Sequence, residues 1–363
     1  MNRKLIEALR ELEKEKGIKM DTIIEALKAA LGTAYRKMYS DDYAVRIDIN
    51  EKTGEIKVFK VLDKESTEQE NVSNQQSGEI EVTPEDFGRI TAQMAKQVIK
   101  QRIKEAEREI LYDEFKDRIG DMVTGIIQQN DNRYTLVDLG KVEALLPQNE
   151  QVPGETYKHG ERIKCYISEV KKTTKGPQII VSRTHPGLVK RLFELEVPEI
   201  SEKIVEVKSI SREAGYRTKI AVLSHDKNVD PVGACVGPKG SRVKMVVDEL
   251  EGEKIDIVNY SDDPVVFIKN ALSPARVLKV LTDDEKKFAL IVVPNDQLSL
   301  AIGKDGQNAR LAAKLTGWKI DIKSEKQFEE ELEQARKERI IKKENLKSDT
   351  RSKNKEKRSS NKK

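Results

Sequence analysis

The sequence predicts a multidomain α+β protein in which several small domains follow one another along the chain. Three observations indicate this: the chain has 363 residues, its regions switch between helical and strand periodicity, and one supersecondary unit occurs twice. Hydrophobic residues make up 37% of the chain and charged residues 36%, which suits small cores inside highly charged surfaces.

The N-terminal region predicts an α+β domain. Apolar residues at helical spacing predict helices over residues 2–16 and 21–39. Alternating apolar residues then predict strands over 45–49, 56–59 and 80–82.

A long helix is predicted to close this domain. Thr83-Pro84-Glu85-Asp86 is typical of a helix start, with Thr83 as the N-cap, and the helical pattern continues to about Arg118. Basic residues occur along the whole helix, and acidic residues between them balance the charge. The pattern fits either a solvated face or a binding surface.

The next sixty residues predict a small closed β-barrel of the OB type. Five strands with Gly and Pro turns are predicted at 122–127, 134–139, 142–146, 163–170 and 178–181. Such barrels bind single-stranded nucleic acid through aromatic rings and a basic groove. The exposed candidates for this face are Arg133, Tyr134, His159, Lys171, Lys172 and Arg183. Because aromatic residues are sparse here, a barrel that acts only as a spacer is the alternative.

Two glycine-framed loops carry the strongest functional signal. Gly237-Pro238-Lys239-Gly240 and Gly303-Lys304-Asp305-Gly306 lie 66 residues apart, and each follows a short apolar helical run. A matching strand follows each loop, Lys254-Ile255-Asp256-Ile257 and Lys319-Ile320-Asp321-Ile322, at a spacing of 65 residues. The sequence therefore predicts a tandem repeat of two units, each reading helix, strand, strand, helix, loop, helix, strand.

A helix-GxxG-helix unit predicts contact with phosphates. Glycines let a nucleic-acid strand approach the backbone, and the amides at the start of the next helix favour negative charge. This is how type II KH domains hold about four nucleotides of single-stranded RNA or DNA. The predicted RNA-binding residues are Gly237, Pro238, Lys239, Gly240, Ser241, Arg242, Lys244, Gly303, Lys304, Asp305, Gly306, Gln307, Asn308 and Arg310.

Two other interpretations of these loops are weaker. A tight turn with no binding role explains one copy, but it does not explain two copies in register. An ATP-binding phosphate loop requires Gly-x-x-x-x-Gly-Lys-Ser/Thr, which the sequence lacks. Asp305 places a carboxylate beside the phosphate path, so we expect the second loop to bind more weakly than the first.

The net charge of +4 is concentrated at the C-terminus. Residues 344–363 contain eight basic and three acidic residues, a net of +5, which leaves −1 for the rest of the chain. Bulk charge therefore cannot attract nucleic acid to the body of the protein, and local patches must do so. The polar stretch at 63–78 predicts a flexible loop, and the charged C-terminal residues predict a disordered basic tail.

Other classes of protein and site are disfavoured by composition. No apolar run approaches the ~18 residues needed to span a bilayer, and the N-terminus does not resemble a signal peptide. Two cysteines and three scattered histidines predict neither disulfides nor a metal site, and they fit a reducing cytoplasm. We expect no cofactor.

The order of domains and several local phrases resemble the bacterial NusA family of transcription factors, over residues 1 to about 326. These phrases lie at residues 95–99, 105–108, 192–200, 230–237, 240–242, 301–312 and 315–318. The resemblance implies an N-terminal domain that docks on RNA polymerase, an S1 barrel, and two KH domains that hold nascent RNA. It implies roles in pausing, termination and antitermination, with other Nus-type antitermination factors as further partners. By position, Lys104 and Arg108 would face the exiting RNA.

The resulting prediction is a cytoplasmic, monomeric, non-enzymatic transcription elongation factor with five regions. They are an N-terminal domain (1–119), an S1 domain (120–186), two KH domains (187–260 and 261–326) and a basic tail (327–363). The alternative is an S1/KH protein that binds ribosomes or mRNA and acts in translation. A phosphorolytic ribonuclease is disfavoured because the chain has no room for a catalytic domain.

Overall fold

The computed structural model describes residues 20–39, 44–50, 53, 55–61, 79–84, 87–131, 133–174, 176–334 and 336–337. The predicted helix at 2–16, the whole polar stretch at 63–78 and the part of the predicted tail beyond residue 337 lie outside these residues, whereas the start of that tail is helical up to residue 334. The chain divides into two compact units. The first takes the residues up to Arg118 together with Val170–Gln178, and the second takes the remainder.

Helices and strands alternate in the order that the sequence predicts. The helices are α1 (Met20–Tyr39), α2 (Phe87–Lys116), α3 (Pro186–Glu196), α4 (Pro198–Ser201), α5 (Pro231–Val236), α6 (Ser241–Glu249), α7 (Pro264–Ala271), α8 (Leu298–Ile302), α9 (Gln307–Thr316) and α10 (residues 325–334). The first eight strands are β1 (Ala44–Ile49), β2 (Ile56–Val61), β3 (Glu79–Glu81), β4 (Met122–Asn130), β5 (Tyr134–Asp138), β6 (Glu143–Pro147), β7 (Arg162–Thr173) and β8 (Gly176–Ser182). The remaining strands are β9 (Val205–Glu213), β10 (Arg217–Ser224), β11 (Lys254–Asn259), β12 (Lys279–Asp283), β13 (Phe288–Val293) and β14 (Lys319–Ser324).

In the first unit, an antiparallel sheet in the order β1-β2-β3 packs against α1 and α2. Its core contains Leu27, Leu31, Val58 and Ala95. The Thr83 hydroxyl accepts a hydrogen bond from the Val58 amide at 3.1 Å, which ties the chain after β3 to the sheet. The described part of α2 begins at Phe87, so the N-cap role of Thr83 stays a prediction.

The barrel predicted from five short strands is present. Its strands close in the order β4-β5-β6-β8-β7, and the parallel contact between β6 and β8 seals it. Gly125 lies where β4 approaches β5 closely. A Cβ there would lie 2.4 Å from Val137 Cγ1 and 2.8 Å from Asp138 O, so no larger residue fits without moving a strand.

The predicted tandem repeat is confirmed by topology. One sheet has the order β11-β10-β9 and the other β12-β13-β14. In each, the first two strands along the chain pair antiparallel, and the last strand pairs in parallel with the middle one. A helix-loop-helix segment connects the parallel strands in both copies, which is the type II KH arrangement.

A buried arginine joins the barrel to the first KH unit. The Arg183 side chain is 3% exposed, and its Nη2 lies 2.6 Å from Glu155 Oε1 in the barrel. Its Nη1 lies 3.3 Å from Glu249 Oε1, at the end of α6. Because an ionised side chain is expensive to bury without a partner, these contacts fix the two modules in register.

A second buried pair fixes the turn between β9 and β10. Arg212 Nε and Nη2 donate to the Glu253 carboxylate at 2.9 and 2.8 Å, and the two side chains are 1% and 0% exposed. Glu253 also accepts from the Gly215 amide at 2.9 Å and from the Thr218 hydroxyl. Arg212 Nη1 donates to Arg183 O at 2.7 Å, so the two buried pairs are connected.

Replacing Glu253 with alanine tests this arrangement. The change leaves the Arg212 guanidinium buried without its counter-ion, so we expect a loss of about 3–5 kcal/mol in the free energy of unfolding. Urea denaturation followed by circular dichroism measures it. The control is Glu161→Ala, which breaks an exposed pair with Lys158 at 3.7 Å and should change stability by less than about 1 kcal/mol. Equal effects of the two substitutions would contradict the role given to the buried pair.

Candidate nucleic-acid interface

The two glycine loops have the same backbone conformation. The first glycines, Gly237 and Gly303, have φ/ψ of 73°/174° and 77°/171°. Lys239 and Asp305 occupy equivalent positions and both adopt φ 54° and ψ 25°. The repeat seen in the sequence is therefore a repeat of one loop geometry, although the residue at its tip is basic in one copy and acidic in the other.

The two glycines of each loop have different roles. The first adopts a backbone conformation that is open almost only to glycine. A Cβ on Gly237 would lie 2.7 Å from Arg242 Cγ, and one on Gly303 would lie 2.8 Å from the Asn308 amide nitrogen. A Cβ on Gly306 would meet open space. The first glycine is thus required by the fold itself, and only the second leaves room for close approach by a ligand.

Two amides in each loop are already occupied within the turn. In the first loop, the Gly240 amide donates to Gly237 O at 3.0 Å, and the Ser241 amide donates to Pro238 O. The second loop repeats this, with a 3.2 Å bond from the Gly306 amide to Gly303 O. The expectation that all helix-tip amides would face phosphates is therefore too broad, and exposed side chains must contribute more of the contact.

The tips of both loops are exposed. Pro238, Lys239 and Ser241 are exposed in the first loop, as are Lys304 and Asp305 in the second. Lys244 is also exposed, one turn into α6. These residues are accessible to a strand that runs across either loop.

The second residue of each following helix lies beneath its loop. Arg242 Nη1 donates to Ala234 O at 2.7 Å and to Glu199 Oε2 at 2.9 Å. Asn308 is 1% exposed, and its Nδ2 donates to Leu272 O and Ala301 O. The prediction that Asn308 contacts RNA is wrong, because the side chain ties the loop to the preceding helix and does not reach the surface.

Two polar residues that follow the second loop are held by the first KH unit. Gln307 Nε2 donates to Glu213 Oε2 at 2.9 Å, and Arg310 Nε donates to Glu213 Oε1 at 2.6 Å. Hydrogen bonding to Arg310 holds the pKa of Glu213 below its usual range. Glu213 lies more than ninety residues before these partners, and no local pattern in the sequence pointed to it.

An open cleft of about 480 Å³ lies beside α5 and β11 of the first KH unit. It is lined by Asp230, Val232, Ile257, Val258, Asn259, Lys269, Asn270, Ser273, Ala275, Arg276 and Val277. Residues of the second KH unit form one of its walls, including the cations Lys269 and Arg276. Sequence reasoning missed these two because only tertiary packing brings them beside α5 and β11.

The candidates on the barrel do not share one environment. Arg133 is exposed and Tyr134 is half-buried. The expectation that Arg183 is exposed is wrong, since its side chain is 3% exposed and is held by Glu155 and Glu249. Exposed His159 has its Nδ1 2.6 Å from Gln128 O.

The remaining candidates lie in the first unit. Lys171 is exposed, and Lys172 Nζ is 2.9 Å from Glu109 Oε1. Arg108 is half-buried and donates from Nη1 to Thr174 O at 3.2 Å, whereas Lys104 is exposed. Arg108 and Lys172 therefore already have protein partners.

The described ranges contain neither a metal-binding cluster nor a membrane-spanning helix. No group of three or more His, Cys, Asp or Glu side chains there could hold a metal ion. Every helix within those ranges is too short or too polar to cross a lipid bilayer.

Family models match the chain between residues 4 and 330 in the order of its modules. Residues 4–109 match the NusA N-terminal domain, and 116–182 match the S1 RNA binding domain. Residues 183–260 match the NusA-like first KH domain, and 264–330 match the NusA-like second KH domain. The α+β, barrel and tandem KH folds predicted from the sequence agree with these matches.

Known proteins resemble the chain over nearly its whole length. A transcription termination/antitermination protein NusA from Bacillus subtilis is 58% identical over 340 residues, covering 90% of this chain and 92% of that protein. The protein of the same name from Halalkalibacterium halodurans is 57% identical over 345 residues, covering 91% and 90%. The solution structure of the N-terminal domain of NusA from Bacillus subtilis is 45% identical, covers 30% of this chain and 99% of that one, and has a TM-score of 0.26. The chain belongs to the NusA family.

Proposed function

We propose that this chain is a non-enzymatic transcription factor that holds nascent single-stranded RNA and modulates termination and antitermination by RNA polymerase. The observation that carries the proposal is the pair of loops with one backbone geometry and exposed tips. Relatives that match over about nine-tenths of their length are named as termination/antitermination proteins, which supports the same function.

RNA is held in this proposal by the loops and the residues around them. Lys239 and Lys244 contact phosphates at the first loop, with the Ser241 hydroxyl as a further donor. Lys304 does so at the second. Arg242 stiffens the first loop from below and does not itself bind RNA. Nucleotides between the loops run past the cations of the cleft, Lys269 and Arg276.

The barrel and the N-terminal domain offer further RNA contacts. Arg133, Tyr134, Lys171 and Lys172 are the proposed RNA contacts of the barrel, and Lys104 and Arg108 are those of α2. Each module binds weakly alone, but linked modules raise one another's effective concentration, which multiplies affinity without new contacts. Because the chain outside its C-terminal residues carries almost no net charge, this linkage matters more than bulk attraction.

The N-terminal domain, proposed to span residues 1–119, docks on RNA polymerase. The factor works in the cytoplasm as a monomer, and it also binds other Nus-type factors. The S1 and KH regions follow at 120–186, 187–260 and 261–326. The barrel and the KH units alone do not distinguish this function from a role in translation, which remains the second candidate. The match of residues 4–109 to the NusA N-terminal domain favours transcription.

Exchanging the residues at the two loop tips tests the RNA contacts. Lys239→Asp gives the first loop the tip residue of the second, and Asp305→Lys does the reverse, at positions with the same φ and ψ. Because a phosphate contact on single-stranded nucleic acid contributes a slope of about 0.7 in log affinity against log salt, we expect K239D to weaken RNA binding by at least about fivefold at 0.1 M salt. D305K should tighten it. Fluorescence anisotropy with an unstructured RNA measures both.

The control for the loop exchange is Lys286→Asp, a charge reversal at the turn between β12 and β13, where the side chain is 78% exposed. It should leave RNA affinity nearly unchanged. Equal losses in K239D and K286D would indicate nonspecific charge, and no loss in K239D would remove the first loop from the RNA path.

Removing the N-terminal domain separates the two proposed partners. A chain beginning at Gly120 should retain RNA binding, because the barrel and both KH units remain, but it should no longer co-purify with RNA polymerase. The matched fragment, residues 1–119, should retain polymerase and not ribosomes. Retention of polymerase by the shortened chain would contradict the docking role, and capture of ribosomes by the fragment would favour the role in translation.

A further inference from the structure

Glu213, the last residue of β9, occupies the polar side chains that follow the second loop. Its carboxylate accepts from Gln307 Nε2 at 2.9 Å and from Arg310 Nε and Nη2 at 2.6 and 3.2 Å. Arg310 Nη1 also donates to Asp305 O at 3.2 Å, so the guanidinium lies against the loop itself. The Arg310 side chain is 49% exposed and that of Glu213 is 19% exposed, which leaves the arginine accessible from the solvent side.

The positive charge around the second loop is reduced as a result. Arg310 pairs with Glu213, and the Asp305 carboxylate lies in the same loop as Lys304, although Lys314 also acts on Glu213. At the first loop, Arg242 pairs with Glu199, whereas Lys239 and Lys244 form no salt bridge with the residues that the structure describes. Carboxylates and phosphates bind the guanidinium fork of arginine in the same two-bond geometry. A phosphate arriving at the second loop therefore meets an arginine that is already engaged by an acceptor of the same kind.

We propose that Glu213 competes with RNA phosphate for Arg310 and Gln307, and so makes the second loop the weaker of two RNA sites. The proposal rests on the function proposed above, since it assumes that RNA runs across this loop. When phosphate binds, Arg310 exchanges its carboxylate partner for phosphate. Glu213 then turns toward solvent, which its partial exposure permits.

The alternative is that Glu213 merely braces the two KH units. The β9–β10 turn next to Glu213 does not need the Glu213 carboxylate, because Glu253 holds that turn through the Gly215 amide and Arg212. The KH units are also joined elsewhere, by Lys219 Nζ donating to Ser273 O at 2.8 Å. Glutamine at position 213 has nearly the same shape and can still accept from one donor. The Glu213→Gln change therefore removes the charge and leaves these other connections in place.

The test is RNA binding by the full chain carrying Glu213→Gln, measured by fluorescence anisotropy with an unstructured single-stranded RNA over a salt series. One more phosphate contact corresponds to a slope steeper by about 0.7 and to about fivefold tighter binding at 0.1 M salt. The matched control is Asp283→Asn, which neutralises an exposed 3.4 Å pair with Lys286 at the turn between β12 and β13. Because this turn belongs to neither glycine loop and asparagine can still accept from the Lys286 amide, the change should leave affinity within about twofold of the original.

A second variant keeps the test decisive. Arg310→Gln should abolish the whole gain in the E213Q background, so that the double variant binds no more tightly than R310Q alone. Unchanged or weaker binding by folded E213Q overturns the proposal and assigns Glu213 to bracing. Were E213Q unfolded, Glu213→Ala with and without R310Q gives the same comparison, and equal affinities of E213A and the original chain would overturn the proposal. If Lys304→Gln and K239D both leave RNA binding unchanged, the proposed RNA function fails independently of Glu213.

Discussion

Buried contacts between guanidinium and carboxylate groups hold the RNA-binding part of this protein together. Arg183 and Arg212 are almost fully buried, and each contacts a carboxylate that is itself buried or nearly so. Such groups tolerate removal from water only when every partner is in place, so small displacements of one module against another are costly. Arg183 connects the barrel to α6, and Arg212 connects the β9–β10 turn to the backbone of Arg183. These contacts hold the first KH unit on the barrel, while Lys219 donating to Ser273 O and Arg310 pairing with Glu213 hold the second KH unit to the first.

The two loops show how one backbone conformation can carry two different sets of side chains. Their torsion angles agree within a few degrees, yet the tip residue is Lys239 in the first and Asp305 in the second, and Arg310 beside the second loop is paired with Glu213. The geometry is enforced from below by Arg242 and Asn308, which take equivalent positions with different chemistry. Variation at the exposed tip then changes charge without changing shape, because Lys239 and Asp305 accept the same left-handed conformation.

Local pattern was enough to predict the strands, the barrel and the tandem repeat, since each is encoded by alternation and turn residues close together in the chain. It was also enough to find the loops, but not to assign their residues. Asn308 and Arg183 look like RNA contacts by type and position, and only packing reveals that both are buried. Glu213, Lys269 and Arg276 gave no signal at all, because their partners lie in a different repeat or on a different element. Long-range polar contacts of this kind leave no periodicity in a sequence.

Unequal loops in a rigid frame suit a factor that follows a moving strand. If both sites held RNA tightly, the gain in effective concentration between linked sites would make release slow, and the strand could advance only after both contacts had broken. A second site already occupied by an internal carboxylate releases phosphate without leaving an unpaired arginine, because Glu213 replaces it at once. Breaking the phosphate contact at the second loop therefore costs little free energy, while the first loop retains the strand. Under the proposed competition, the ion pair between the two KH units would therefore allow RNA to move across the surface without dissociating from it.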